Sequence, residues 1–309
     1  MAPRKKNLIA AEIPTRLVGC HLIIASLIGL IFNIFMFSKF LEFEKTSFYI
    51  LCTSKTVSNF LILFVFLTYL GPTNLLYTQI GSYDLSKYIN QAVGYGIYLQ
   101  GPMTQFLITI NRFLVIWFSP THVPKYSNHV TVACLIATWV LSIWTSTLYG
   151  LPDDCRVPVG FYHLDFYQTP CNNIFIFVFI PVVFSLAILT NTMNFLIFLK
   201  LVWNWKKSRN SLSSEDSKNR QKTNIRFFLQ SCVQDWICAL DILNNLTANL
   251  YCLNLCTMLL TFSSNVLVYV FDGIAMYLFN HRTTTKRVKP SREPTKESTQ
   301  TIRVPAPVN

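Results

Sequence analysis

The chain predicts an all-α membrane protein: a seven-transmembrane helix bundle with its N-terminus outside and its C-terminus in the cytoplasm. Three observations carry that prediction. Apolar residues make up 52% of the 309-residue chain and charged ones 13%, about half the charged share of an ordinary soluble domain. Seven apolar runs have the roughly 20-residue length that a helix needs to cross a bilayer core about 30 Å thick. The 26 Lys and Arg are also distributed unevenly: with the N-terminus outside, nineteen fall on the cytoplasmic side, six outside, and Lys55 within a helix. The positive-inside rule selects that orientation.

The runs, in order, are 17–40, 48–70, 93–118, 130–149, 174–199, 227–250 and 255–279. The first follows MAPRKKNLIAAEIP and is too long, and too poorly followed by small residues, for a cleaved signal peptide; it is expected to remain as an uncleaved helix. The second and sixth are the most polar, because Lys55, Asp235 and Asp241 fall inside them, and each charge costs about 2.5 to 3.5 kcal/mol at mid-helix on insertion scales. Pro102 in the third and Pro181 in the fifth remove a backbone donor and are expected to loosen their helices.

Between the fifth and sixth runs, residues 203–226 are polar, serine-rich and basic, fitting a mobile connector or short extensions of the flanking helices. Residues 1–16 read as a short extracellular N-terminus, 17–280 as one seven-helix domain, and 281–309 as a disordered basic cytoplasmic tail. The net charge of +12 needs no nucleic acid, since these basic segments face anionic inner-leaflet lipid. Nine cysteines show no metal-like spacing, and most lie in apolar runs, where a free thiol packs as a small core residue. Only Cys155 and Cys171 share one outer loop, where a bridge would close and stiffen it; Cys20, Cys252 and Cys256 lie near the same face as rival partners.

Polar side chains on a spanning helix turn towards protein or enclosed water, so their spacing shows which face points inward. In the sixth helix Gln230, Gln234, Asp241 and Asn245 fall within an arc of about 60° at 100° per residue. Tyr98, Gln105, Thr109 and Arg112 make a similar stripe on the third, and Asn265, Tyr269 and Asp272 on the seventh. One reading of these groups is helix-to-helix hydrogen bonding that holds the bundle together. The other is functional: Tyr98, Gln105, Asn245, Asn249 and Asn265, towards the outer side, line a small-molecule cavity between helices.

Towards the cytoplasm, Arg112, Asp235 and Asp272 are ionisable groups whose re-pairing can bias two packings of the bundle. Asp235 lies off the polar stripe of its helix, which points it at a different neighbour. Lys55, near the cytoplasmic end of the second helix, is expected to snorkel to the headgroups. The stretch TINRFLVIWFSP, 109–120, sets an arginine at the inner end of the third of seven helices, which points to a signalling receptor. A channel or transporter, its path lined by Asp235, Asp241 and Asp272, is the rival, against which stands the lack of repeat symmetry. A non-signalling partner subunit is a third reading. No phosphate loop, zinc-ligand spacing or membrane His-Glu cluster suggests an enzyme, a catalytic residue, a metal or a cofactor.

Several motifs occur in order along the chain: Gly29 with Asn33, SNFLIL at 58–63, Asn111-Arg112-Phe113 followed by Pro120, FFLQSCVQD at 227–235, and FDGIAMYLFN at 271–280. Over roughly residues 16–280 this pattern resembles the nematode serpentine chemoreceptors of class X, G-protein-coupled receptors with seven transmembrane helices. The resemblance implies an odorant or pheromone-like ligand, a heterotrimeric G protein as partner, and the plasma membrane of chemosensory neurons, in particular their sensory cilia. It also implies roles in coupling and switching for Asn111, Arg112, Phe113, Asp235 and Asp272.

Against the wider rhodopsin-like pattern, Asn111 stands where an acid is usual, so no lock between neighbouring acid and arginine forms. Asn59 replaces a usual aspartate, which puts a bound sodium ion in doubt. The seventh helix has Asp272, Gly273 and Tyr277 in place of Asn-Pro-x-x-Tyr, and no lysine for a retinal Schiff base. The third helix has no cysteine at its outer end, so the usual bridge from there to the second outer loop is missing.

Overall fold

The computed structural model describes residues 3–43, 45–118, 127–156, 169–209, 215–251 and 254–281. Its α-helices are α1 (Pro3–Glu42), α2 (Ser47–Val65), α3 (Gly71–Leu76), α4 (Tyr83–Gln91), α5 (Ile97–Trp117), α6 (Ser127–Thr147), α7 (Pro170–Arg209), α8 (Glu215–Tyr251) and α9 (Asn254–Asn280). A π-turn at Phe66–Leu70 fuses α2 to α3, and another at Ala92–Gly96 fuses α4 to α5. The result is seven rods, each matching one predicted run apart from its ends. Five are long and apolar enough to cross a membrane by length and composition. The second is among them, spanning Ser47–Leu76 despite Lys55. Among the described residues the third and sixth do not reach that hydropathy, because their inward polar stripes dilute it.

Several ends differ from the sequence expectation. The first rod starts at Pro3 and runs through Pro14, so most of the predicted N-terminal segment is helix. The third starts at Tyr83, ten residues early, because Ser82 caps it: its Oγ accepts from the Leu85 N–H at 3.2 Å. A hydropathy scan cannot see such a polar first turn. α7 has 40 residues and is therefore about 60 Å long at 1.5 Å per residue, twice a bilayer core. With α8 starting at Glu215, most of 203–226 is helical extension. The predicted tail, apart from His281, lies outside the described residues.

The bundle is built inside out relative to a soluble protein. Ile31, Ile136 and Phe177 are 67%, 58% and 80% exposed, whereas Asn33, Gln100, Thr109 and Asn280 are fully buried. Such an apolar exterior is solvated by lipid, and the inward polar groups are satisfied within the bundle. Apolar layers sit at both ends. Leu22, Ile62, Leu63, Phe66 and Val266 pack in one; Met36, Phe48, Leu51, Ile108, Phe227 and Met276 pack in the other, beside Arg112.

The second π-turn sets how closely the third and fourth rods approach. Ser142 Oγ donates to the Gly96 carbonyl at 2.6 Å, and a Cβ at Gly96 would fall 1.8 Å from Ser146 Oγ. Only glycine fits there. Pro102 and Pro181 lie inside continuous helices.

Candidate functional site

The interior polar groups assemble into three tiers along the bundle. The middle tier is centred on an ion pair: Lys55 Nζ lies 3.0 Å from Asp272 Oδ1, with both side chains buried. The expectation that Lys55 snorkels to the headgroups is therefore corrected. Lys55 and Asn59 are four residues apart on α2, so they share its inward face, and Asp272 is reached more readily than water. Asn59 Nδ2 donates to Asp272 Oδ2 at 2.6 Å and to Asn33 Oδ1 at 3.1 Å. Asn33 Nδ2 in turn donates to the Tyr269 carbonyl at 3.2 Å.

On its other side Lys55 donates to Gln105 Oε1, and Gln105 Nε2 donates to Ser231 Oγ at 3.1 Å. One buried network thus joins α1, α2, α5, α8 and α9. Asn33 also explains Gly273: a Cβ there would fall 2.6 Å from the Asn33 amide nitrogen.

The second tier surrounds Arg112, one end of the bundle. Its guanidinium carbon lies 3.6 Å from the Phe48 ring centre and 4.3 Å from that of Phe227. It makes no ion pair among the described residues, and Nε and Nη2 have no hydrogen-bond partner there. With Asn111 in place of an acid, two aromatic faces supply the stabilisation that a carboxylate otherwise would. Phe113 points elsewhere: it stacks on Trp117 at 5.3 Å and packs against Ile197, Leu201 and Phe228.

Asp235 accepts from Asn194 of α7, a different neighbour from the stripe residues. Tyr277 is held by Phe32, Phe35 and His281 rings. Asn280 Nδ2 donates to Gln230 Oε1 at 2.8 Å, tying α9 to α8 at this end.

The third tier lies towards the opposite end. Asp241 accepts from Tyr98 Oη at 3.0 Å, from Asn245 Nδ2 at 3.0 Å, and from Ser264 Oγ. Asn265 Oδ1 is buried nearby on α9 without a hydrogen-bond partner, and Tyr269 on the same helix is buried. Tyr98 adjoins Phe179 of α7, which is edge-on to Tyr95 and stacked on Phe175.

Of the residues predicted to line a cavity, Tyr98 and Asn245 meet at Asp241, Asn265 sits on the facing helix, and Gln105 belongs to the middle tier. The Asn249 side chain lies outside the described residues. A hollow of about 340 Å³ opens elsewhere, between Phe40, Tyr49, Ser54 and Trp139 on the flank of the bundle, and contains none of them.

Above the third tier, Cys155 and Cys171 are disulfide-bonded with Cα atoms 4.7 Å apart. Arg156 clamps the same corner: Nε donates to the Thr147 carbonyl at 2.8 Å, Nη1 to Asp153 at 2.5 Å, and the group lies over the Tyr88 ring. The bridge joins the α6 exit to the start of α7.

Sequence reasoning did not find Ser231, Ser264, Asn194 or Arg156. Serine is too small and too common in membrane helices to mark a stripe. The one usable signal was the four-residue spacing of Lys55 and Asn59.

The chain matches the family model described as serpentine type 7TM GPCR chemoreceptor Srx over residues 23–280. No curated protein sequence matches it. Among solved structures, squid rhodopsin superposes with a TM-score of 0.71, covering 87% of this chain and 80% of the rhodopsin chain at 15% sequence identity. At that identity the likeness concerns the fold.

Proposed function

The chain belongs to the Srx family of serpentine seven-transmembrane, G-protein-coupled chemoreceptors, and on that premise we propose that it binds a small odorant or pheromone-like molecule and signals through a heterotrimeric G protein. The ligand enters between the helix halves at the Asp241 end, which faces outside, and the Arg112 end faces the cytoplasm. The protein resides in the plasma membrane, at the sensory cilium of chemosensory neurons, with residues 1–16 outside and the basic tail 281–309 inside.

The observation that carries this reading is the Lys55–Asp272 network, which lies between the Asp241 tier and the Arg112 cage and touches five of the seven rods. A ligand that prefers one packing of the third, sixth and seventh rods shifts the balance by its difference in affinity for the two packings. Because Gln105 and Ser231 bond α5 to α8 through this network, movement at the Asp241 end changes how α8 carries Phe227. Withdrawal of Phe227 uncovers Arg112 and opens a crevice, flanked by the extensions of α7 and α8, for the G protein.

The test is nucleotide exchange on added G-protein heterotrimers, with membranes holding the wild-type chain or Arg112→Ala and pooled volatile and water-soluble odorants. Exchange should rise with one pool and vanish in the variant, while surface expression stays unchanged. Normal ligand-evoked exchange by Arg112→Ala would remove the assigned role of that residue.

A further inference from the structure

Charge is distributed unequally among the three buried acids. Asp272 is paired with Lys55, and Asp235 lies within the electrostatic reach of the same lysine. Asp241 is 3% exposed, and the groups that hold it are the neutral Tyr98, Asn245 and Ser264. The segments around it carry no Lys or Arg: α9 contains none, α8 has none beyond Arg226, and none occurs between 88 and 111 or between 157 and 199. The described cations nearer that end have partners of their own, Arg16 with Glu12, Lys87 with Asp84, and Arg156 with Asp153. A buried carboxylate with hydrogen bonds but no counter-charge remains costly.

A second observation points the same way. The oxygen Asn265 Oδ1 is buried on the facing helix without a partner, and Tyr269 of the same helix is only 4% exposed and within electrostatic reach of Asp241. Residues 265 and 269 are four apart on α9, so they share one face, immediately beside Ser264. The region thus offers one carboxylate without a counter-charge, one orphaned oxygen in Asn265 Oδ1 and the buried phenol of Tyr269. An ammonium group has three N–H donors, no acceptor and a positive charge, the complement of that set. A carboxylate ligand would meet like charge, and a neutral ligand would leave Asp241 uncompensated.

We propose that the chemical class of ligand is a small protonated amine, with Asp241 as its counter-ion and Asn265 and Tyr269 as the oxygens that accept its remaining N–H groups. This rests on the receptor reading above and sharpens it. Tyr269 stands one turn from Asp272 on α9, so an amine held there acts on the helix that carries one end of the Lys55 ion pair.

The experiment is a thermal-shift titration of the purified full-length chain at pH 7 with phenethylamine and butylamine. Each is compared with its alcohol and carboxylate counterparts: 2-phenylethanol, phenylacetate, butanol and butyrate. At least one amine should stabilise the wild type with an apparent affinity ten or more times that of its alcohol. Asp241→Asn should lose that preference, Asp241→Glu should keep part of it, and Asp235→Asn should keep it whole, which separates a lost counter-ion from a damaged fold. Stabilisation by neither amine, equal stabilisation in Asp241→Asn, or a preference for a carboxylate would overturn the proposal. G-protein exchange separates it from the receptor reading: amine binding that drives no exchange sinks only the signalling role, and exchange evoked by a neutral or acidic odorant through an intact Asp241→Asn variant sinks only the amine.

Discussion

Arg112 is the residue whose environment departs furthest from what its type leads one to expect. A guanidinium buried in hydrocarbon needs a carboxylate, water or a π-face, and here Phe48 and Phe227 supply two π-faces. A desolvated cation–π contact is worth about 2 kcal/mol, which corresponds to roughly a thirty-fold change in an equilibrium between two packings. Phe48→Ala is therefore expected to raise ligand-free nucleotide exchange several-fold, and Phe48→Ala with Arg112→Ala should return it to background. Unchanged basal exchange in the single variant would mean that the cage does not restrain the resting bundle. The arginine was legible in the sequence from its place at the end of an apolar run. The two rings were not, because Phe48 and Phe227 are 179 positions apart and are two of 25 phenylalanines.

At the scale of elements, two devices set the upper end of the bundle. The π-turn at Ala92–Gly96 brings the third rod against the fourth at a point where Ser146 leaves no space for a side chain. Gly96→Val should cost about 1 to 3 kcal/mol, the usual effect of overpacking, seen as a lower midpoint in detergent unfolding. The Cys155–Cys171 bridge closes a loop with a sequence separation of 16, for which chain entropy predicts about 3 kcal/mol. Reduction, or Cys155→Ser with Cys171→Ser, should lower the unfolding midpoint while Arg112-dependent exchange, per folded molecule, survives. A loss of coupling without loss of stability would assign the bridge a different part. Neither π-turn has a signature in hydropathy, since an inserted residue alters the phase of a helix and leaves its composition unchanged.

For the whole molecule, the Lys55–Asp272 pair is the common joint. Breaking one partner leaves a buried charge exposed to hydrocarbon, which typically costs 3 to 5 kcal/mol, whereas removing both is close to neutral. Lys55→Met and Asp272→Asn should each unfold or misassemble much of the protein, and the double variant should recover most of the loss, measured as the monodisperse yield and unfolding midpoint. Strictly additive losses would show that the two act through separate contacts. The sequence by itself determined that this chain is a seven-helix membrane bundle, which helix faces turn inward, and that an arginine closes the third helix. Those features follow from length, periodicity and charge, quantities carried within single segments. Only the tertiary structure decided that Lys55 turns to Asp272, that Arg112 rests between rings, and that Asp241 is left without a counter-charge. Each of those depends on which helices become neighbours and at what depth, and one-dimensional periodicity fixes a residue's angle on its own helix while leaving open the partner it meets.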